Sequence, residues 1–503
     1  MFEAVELGQK ITKTEYKAQV PALRQNFLEL QQRLRQADFP VIVLFSGVDA
    51  AGKGETVNLL NFWMDPRWLV TRAYTEPSQE ESERPEFWRF WRDLPPRGQI
   101  GLFLSAWYSR PALAHAHEQI SKVEFEGLLD RIASFETLLV NDGALLIKFW
   151  LHLGKKAQKR RLKQLVGDPL TSWQVTETDW QHWKMYERFI ETAEIAFQRT
   201  STGIAPWTLV EAEDPRYRNL KVGSVLMEAI DARLNAAHSE PVPRNKESKV
   251  DDATSATEQL VIPHQKTILA SLNMDRKLAK KAYNEALTIC QGRINKAHRA
   301  ALAKGISTIV VFEGWDAAGK GGAIRRAAAA LDARHYRVHQ IAAPTDEERA
   351  QHYLWRFWRH LDRAGRVTIF DRTWYGRVLV ERVEGFATED EWRRAYAEIN
   401  DFEDQLVQHG IVLLKYWIHI TAQEQLARFK DREQVPYKRW KITDEDWRNR
   451  GRWMDYEVAV HDMIERTSTR IAPWTLVEGN DKLYARVRVL ESLADALEKA
   501  ARK

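Results

Sequence analysis

Cysteine is almost absent from these 503 residues: Cys290 stands alone. A single thiol can build neither a disulfide framework nor a cysteine-ligated metal cluster within one chain, and it suits a reducing compartment. The 14 histidines recur at no metal-ligand spacing. Long apolar runs are missing as well. None approaches the ~18 residues of a membrane span. The start, Met1-Phe-Glu-Ala-Val-Glu-Leu7, is acidic and lacks an apolar core, so no secretory signal is expected there. Neither sign of charge dominates, with 75 Lys and Arg against 70 Asp and Glu. A net charge of +5 suits a polyanionic ligand without identifying one. We therefore expect a globular cytoplasmic protein with no membrane and no nucleic-acid partner, long enough for two to four domains.

One absence is local. Phe312-Glu-Gly-Trp-Asp-Ala-Ala-Gly-Lys-Gly-Gly322 follows the β-branched run Ile306–Val311 and precedes a helix-like run, Ala323–Leu331. Strand, glycine-rich turn and helix start are the context of a phosphate-binding loop. Glycines let backbone N–H groups close around phosphate oxygens, and Lys320 supplies a point charge. The Ser or Thr that usually follows the lysine, and helps to hold magnesium, is replaced by Gly321. Asp316, inside the loop, is the candidate to take over that task. The competing reading is an ordinary strand–helix turn.

The same pattern occurs earlier, as Ser46-Gly-Val-Asp-Ala-Ala-Gly-Lys-Gly54 after the strand-like Val41–Phe45. Lys53 and Lys320 are 267 positions apart, and this interval recurs along the chain. It relates Trp88-Arg-Phe-Trp91 to Trp355-Arg-Phe-Trp358, and Lys148-Phe-Trp-Leu-His152 to Lys415-Tyr-Trp-Ile-His419. It also relates Thr200-Ser-Thr202 to Thr467-Ser-Thr469, and Ala205–Glu211 to Ala472–Glu478. The chain is two copies of one domain, with almost no insertions between them.

Residues 236–258 are polar, contain Pro and Ser and lack apolar periodicity, so they read as a linker. The expected division is 1–235, 236–258 and 259–503. Helical patterns are expected over about 10–36 and 265–303. In the second copy, strands are expected at Ile306–Phe312, Arg337–Ala342, Val367–Asp371, Ile411–Ile418 and Thr475–Glu478. Strands alternating with helices imply an α/β fold, a mostly parallel sheet covered on both faces. Ligands of such sheets bind beyond the carboxyl ends of the strands.

Val367-Thr-Ile-Phe-Asp371 is a short apolar strand ending in an acid, the place where phosphate-loop proteins hold magnesium or its water. Arg372 beside it can meet a transferring phosphoryl group. Further on, Phe429–Trp447 is basic and turn-containing, and Arg448, Arg450 and Arg452 follow. Thr443-Asp-Glu-Asp446 reads as a capped helix start. Such a segment is either a solvated charged face or a mobile cover that neutralises phosphates.

The first copy favours the second option. It has Leu104 for Asp371 and Ser105 for Arg372. Arg432, Lys438, Arg439, Lys441, Arg448, Arg450 and Arg452 become Leu165, Thr171, Ser172, Gln174, Gln181, Trp183 and Met185. Trp173, Thr176, Asp179 and Trp180 match Trp440, Thr443, Asp446 and Trp447. The second copy is read as active and the first as degenerate, still carrying Gly47, Gly52 and Lys53. Tryptophans shared by both copies (Trp355, Trp358, Trp440, Trp447 and Trp474 with Trp88, Trp91, Trp173, Trp180 and Trp207) are expected in the core rather than stacked on bases.

Gly314–Gly322, Tyr353-Leu-Trp-Arg-Phe-Trp-Arg359, Asp371-Arg-Thr-Trp-Tyr-Gly-Arg377, Tyr437-Lys-Arg-Trp-Lys441 and Thr467–Trp474 together resemble the second family of polyphosphate kinases. The resemblance spans almost all of the second half and, weakened, the first. It implies a thymidylate-kinase-like phosphate-loop fold in both copies and dependence on Mg2+. The two-copy architecture is similar to that of bacterial polyphosphate:AMP phosphotransferases, in which the carboxyl-terminal copy is active. That implies transfer from inorganic polyphosphate to the adenine nucleotide AMP, giving ADP. Asp316, Lys320, Asp371 and Arg372 match catalytic positions of the family, with Asp316 and Asp371 for the metal. Phosphate contacts are expected from Gly314, Ala317, Ala318, Gly319, Gly321 and Gly322 of the loop and from Arg432, Lys438 and Lys441. A homo-oligomer, a dimer, is also expected. The residues by themselves leave open a polyphosphate-dependent ADP kinase, an ATP-dependent nucleoside monophosphate kinase and a non-catalytic polyphosphate- or nucleotide-binding scaffold. If the second copy alone is active, Lys320→Ala nearly abolishes turnover and Lys53→Ala leaves most of it. Steady-state rates of the two variants check this, and equal losses would contradict it.

Overall fold

The apolar run before each phosphate loop becomes the central strand of a five-stranded parallel sheet. In the first sheet the strands are β1 (Val41–Gly47), β2 (Leu69–Ala73), β3 (Ile100–Leu104), β4 (Leu145–His152) and β5 (Trp207–Glu211). In the second they are β6 (Thr308–Gly314), β7 (Tyr336–Gln340), β8 (Val367–Asp371), β9 (Val412–His419) and β10 (Trp474–Glu478). The orders are β2-β3-β1-β4-β5 and β10-β9-β6-β8-β7. The computed structural model describes residues 2–238, 267–435, 442 and 444–502. Two compact units result: Met1–Pro77 with Arg89–Thr254 and Asp346–His352, and Ser78–Trp88 with Ser255–Thr345 and Tyr353–Lys503.

All five expected strands of the second copy form, displaced by at most two residues at either end. β6 is buried on both faces, because helices cover the sheet on each side. Along one side the Lys280–Ala303 helix packs against Lys482–Arg502, as Lys13–Leu34 packs against Pro215–His238 in the first unit. Among the described residues no helix is long and apolar enough to cross a membrane.

Three expectations are corrected. The helical pattern from 265 begins as a 3-10 turn, Ile268–Ser271, and the α-helix starts only at Lys280. The Asn273 side chain accepts from the Asp275 amide at 3.2 Å, a local turn that competes with helix. Ala236–His238, assigned to the linker, complete the Pro215–His238 helix, and the remainder of 236–258 lies outside the described residues. Trp88, Trp91, Trp355, Trp358 and Trp474 are buried as expected, but Trp173 is 75% exposed and Trp447 37%. Trp440 and Thr443 lie outside the described residues. The helix they precede runs Asp444–Gly451, and its first-copy counterpart carries the capping box, with Asp179 accepting from Thr176 N–H and Oγ1.

Most of the shared motifs meet in one buried network per unit. Lys415 Nζ on β9 donates to Glu403 Oε2 at 2.7 Å, to Thr467 O at 2.8 Å and to Tyr375 Oη at 2.9 Å. Glu403 Oε1 accepts from Trp374 Nε1 and Tyr375 Oη, and Trp474 Nε1 donates to Thr467 Oγ1. Lys148, Glu136, Trp107, Tyr108, Thr200 and Trp207 repeat the arrangement. Burial pushes Glu403 up and Lys415 down, and only their mutual contact and the added donors offset that. Removing one partner leaves an uncompensated buried charge, at a cost of about 3–5 kcal/mol. Lys415→Met should therefore lower the thermal midpoint of the second unit markedly, and Lys415→Met with Glu403→Leu by much less. Calorimetry of both variants checks the order.

Candidate active site

β6 delivers the loop and β8 delivers Asp371, and the register brings them together. Phe312 pairs with Asp371 across β6 and β8, and Gly314 pairs with Ile418 across β6 and β9. The chain turns from β6 to one side of the sheet and later crosses to the other, so the loop sits at the switch point where open sheets bind ligands. Gly314 has φ +147° and a Cβ there would lie 2.4 Å from Ile418 O. Gly47 stands in the same way against Leu151 O. Gly319, at φ 114°, leads into the Lys320–Ala328 helix, whose N-terminus attracts anions.

Lys320 Nζ folds back to donate to Gly314 O at 2.6 Å and Trp315 O at 3.3 Å. Lys53 makes the same pair of bonds to Gly47 O and Val48 O. Within the loop, Ala318 N–H donates to Trp315 O and Gly322 N–H to Gly319 O, so these two expected cradle donors are engaged in shaping the turn.

The acids and Arg372 form one group. Arg372 Nη2 lies 3.4 Å from Asp316 Oδ1, and Asn449 Nδ2 donates to Asp316 Oδ2 at 3.0 Å. Burial works against the Arg372 charge, but the carboxylates of Asp316, Glu313, Glu445 and Asp371 outweigh it and hold the guanidinium above its ordinary range. Arg372 adopts φ 65°, a left-handed conformation unusual outside glycine, and Ser105 repeats it at φ 50°. The bend after β8 thus belongs to the fold, whereas the arginine placed on it belongs to the second copy.

The proposed cationic cover divides. Arg432 lies in the last turn of the Ala422–Gln434 helix, whereas Lys438, Arg439 and Lys441 lie outside the described residues. Arg448 pairs with Glu384 at 3.1 Å, and Arg452 donates to Val383 O close by. Arg450 donates to Ala422 O at 2.7 Å and to Gln425 Oε1. All three arginines have partners in the wall of the site, and these contacts hold the Asp444–Gly451 helix against it. Glu384 has His117 as its first-copy counterpart, so that pairing was lost on both sides.

Sequence reasoning missed Glu313, Arg428 and Asn449. Glu313 is 6% exposed and accepts from Thr373 Oγ1 at 2.8 Å. Burial pushes it up, with the Lys320 charge opposing. Its absence from the first copy, where Ser46 and Ala106 replace Glu313 and Thr373, was a readable signal. Arg428, 4% exposed, donates to the carbonyls of Ala317, Ala318, Gly479 and Asn480 and props the loop from behind. In the first unit Arg218 props Ala51 O instead, and Arg161, the counterpart of Arg428, turns to Glu55. No periodicity could have announced that exchange. Around Asp49, His182 replaces Asn449 and approaches Oδ2 to 2.7 Å. Burial opposes the Asp49 charge, but His182 and Lys53 hold its carboxyl below the usual range.

A cleft opens beside the loop, lined by Glu313, Asp316, Lys320, Arg372 and Asn449 and by Trp315, Trp417 and Tyr456. Among the described residues no group of three or more His, Cys, Asp or Glu is placed to hold a metal ion by itself. Carboxylates around an open cleft, with a lysine and an arginine, suit a partly hydrated hard cation held jointly with phosphate. Such an arrangement can position and neutralise a phosphoryl group.

The family model for polyphosphate kinase 2 (PPK2) matches residues 10–238 and 277–503, once for each copy. A polyphosphate:AMP phosphotransferase of Pseudomonas aeruginosa is 49% identical over 507 residues, covering 100% of both chains. Another of that name, from Pseudomonas syringae pv. tomato, is 48% identical over 99% of both. An ADP-polyphosphate phosphotransferase of Rhizobium meliloti is 41% identical, over 43% of this chain and 71% of its own. A crystal structure described as polyphosphate kinase 2 from Pseudomonas aeruginosa PA01 superimposes with a TM-score of 0.88 at 48% identity, covering 100% of both chains.

The two loop glycines should differ in what alanine does to them. At Gly319 nothing lies within 4 Å of an added Cβ, so Gly319→Ala carries only the left-handed backbone cost of about 1–2 kcal/mol. Gly314→Ala adds an overlap with the Ile418 backbone, about 1–3 kcal/mol more. Denaturant unfolding should place Gly314→Ala as the less stable variant, with turnover lost in both.

Proposed function

Because the chain belongs to the polyphosphate kinase 2 family, we infer that it moves a phosphoryl group from inorganic polyphosphate to AMP, giving ADP. The observation that carries this reading is the internal contrast. Glu313, Asp371, Arg372 and Thr373 surround the second loop, while Ser46, Leu104, Ser105 and Ala106 surround the first on the same backbone. The full-length similarity to two polyphosphate:AMP phosphotransferases supports AMP as acceptor.

An oxygen of the AMP phosphate attacks the terminal phosphorus of the polyphosphate. The bond from that phosphorus to its bridging oxygen breaks, and the shortened chain leaves with the electron pair. The attacking oxygen is already ionised, so no strong general base is required. Lys320 leaves the loop carbonyls and turns its ammonium to the transferring group, which the loop amides and the helix N-terminus also face. Arg372 follows the charge spread over the equatorial oxygens. Arg432, Lys438 and Lys441 hold the rest of the polyphosphate. Arg428 and Asn449 keep the loop and the Asp316 carboxylate in place. Asp316 and Asp371 would hold Mg2+, with Glu313 among the same acids, and the ion would supply positive charge against the phosphates. A dimer in the cytoplasm completes the proposal, and light scattering tests the assembly.

Purified protein with AMP, polyphosphate and Mg2+ should form ADP, and chelation should stop it. Faster conversion of ADP to ATP under equal polyphosphate would overturn the choice of acceptor. Efficient use of ATP in place of polyphosphate would overturn the donor.

A further inference from the structure

The first copy lost cations around its phosphate loop, yet one of its helices gained them. The Lys155–Gly167 helix of the first unit carries six cations, Lys155, Lys156, Lys159, Arg160, Arg161 and Lys163, and no acid. Its second-copy counterpart, Ala422–Gln434, balances three cations, Arg428, Lys430 and Arg432, with Glu424, Asp431 and Glu433. Helical spacing puts Lys156, Lys159, Arg160 and Lys163 on one face, and all four are exposed. Gln158, Leu162 and Leu165 are buried on the opposite side. The second copy has Gln423, Leu426, Ala427 and Lys430 at the four outward positions, so three of the four charges stand only in the first.

The protein does not neutralise this stripe. Lys155, Arg160 and Arg161 reach Glu187, Glu213 and Glu55 at 3.1, 2.7 and 2.7 Å, but among the described residues no carboxylate pairs with Lys156, Lys159 or Lys163. Like charges three and four positions apart on a helix repel, and the outward face holds four such pairs. A ligand with a negative charge at every step relieves that repulsion along the two turns, about 10 Å, that the stripe covers. The helix has no aromatic residue, and the Trp183 ring beside it is taken up by the Lys159 and Lys155 ammoniums at 4.4 and 5.9 Å. A nucleic acid would find little to stack on there. Phosphates linked through one shared oxygen also carry their charges closer together than phosphates linked through ribose. Building on the donor named above, we propose that this stripe is a second polyphosphate-binding surface. It holds the body of a long chain by charge alone and performs no chemistry, because it belongs to the unit that has Leu104 and Ser105 for Asp371 and Arg372.

Acetylation footprinting of the natural protein tests this without any variant. Long-chain polyphosphate at low salt should slow modification of Lys156, Lys159 and Lys163 about fivefold or more and leave the exposed Lys13, Lys17 and Lys221 within about twofold. Single-stranded RNA of matched charge should protect the three less. A second arm measures binding of labelled long chains. Lys156→Gln, Lys159→Gln and Lys163→Gln together should weaken it about tenfold. They should also reduce the slope of log affinity against log salt by about two, because each neutralised phosphate contributes about 0.7 on a single-stranded polyanion. Turnover at saturating polyphosphate should be kept. The same change at Lys13, Lys17 and Lys221 removes equal charge and should do neither. No protection of the three stripe lysines, or equal weakening in the two variants, overturns the stripe. Protection by RNA as strong as by polyphosphate overturns the choice of ligand. In each of these cases a natural protein that forms ADP from polyphosphate leaves the donor reading intact. A natural protein that neither binds nor uses polyphosphate overturns that reading and this inference together.

Discussion

A lysine with no exposed surface holds each half of this protein together. Lys415 sits on β9, its ammonium enclosed by Glu403, Tyr375 and the Thr467 carbonyl, and Lys148 repeats it in the other unit. Burying two charges is costly unless geometry and further hydrogen bonds compensate, so the network tolerates few substitutes. It ties the strand beside the phosphate loop to the Glu389–Gln408 helix, to the Trp374-Tyr375 turn after β8 and to the end of the Trp453–Thr467 helix. Asp371 and Arg372 stand immediately before that turn. Their place at the loop therefore depends on a charge pair that never meets ligand.

Two copies with one scaffold and different sites separate structure from chemistry within a single chain. Lys148, Glu136, Tyr108 and Trp207 persist in the unit that lacks counterparts of Glu313 and Asp371, because they carry the fold. The left-handed bend persists as well, at Ser105 and at Arg372. Glu313, Asp371, Arg372 and Thr373 do not persist, and all four stand near the cleft or the loop. The first loop is also propped differently, by Arg218 instead of the counterpart of Arg428. A conformation that different residues maintain in two units is a property of the backbone path. The charges set upon it are the variable part.

The arginines after the basic segment show what only the packing could add to the pattern. Seven cations missing from the first copy looked like one lost function, but Arg448, Arg450 and Arg452 have protein partners that secure a helix. A charge count cannot tell a ligand contact from an anchor, because both select arginine for its fork of donors. The exposed Trp173 is a related case. Its retention at a repeat position suggested a core role, yet its indole reaches only the Leu170 carbonyl at the surface.

The sequence by itself determined the duplication, the strand order along the chain, the loop and its lysine, and which copy keeps Asp371 and Arg372. All of these are written in local patterns and in a constant interval of 267 residues. Tertiary structure decided what depends on distance through space. It set Glu313 beside Thr373, Arg428 behind the loop, Asn449 against Asp316, and Trp315 against His419. Those contacts join residues dozens to more than one hundred positions apart. No periodicity encodes them, and only the packing of β6 between β8 and β9 brings their side chains within reach.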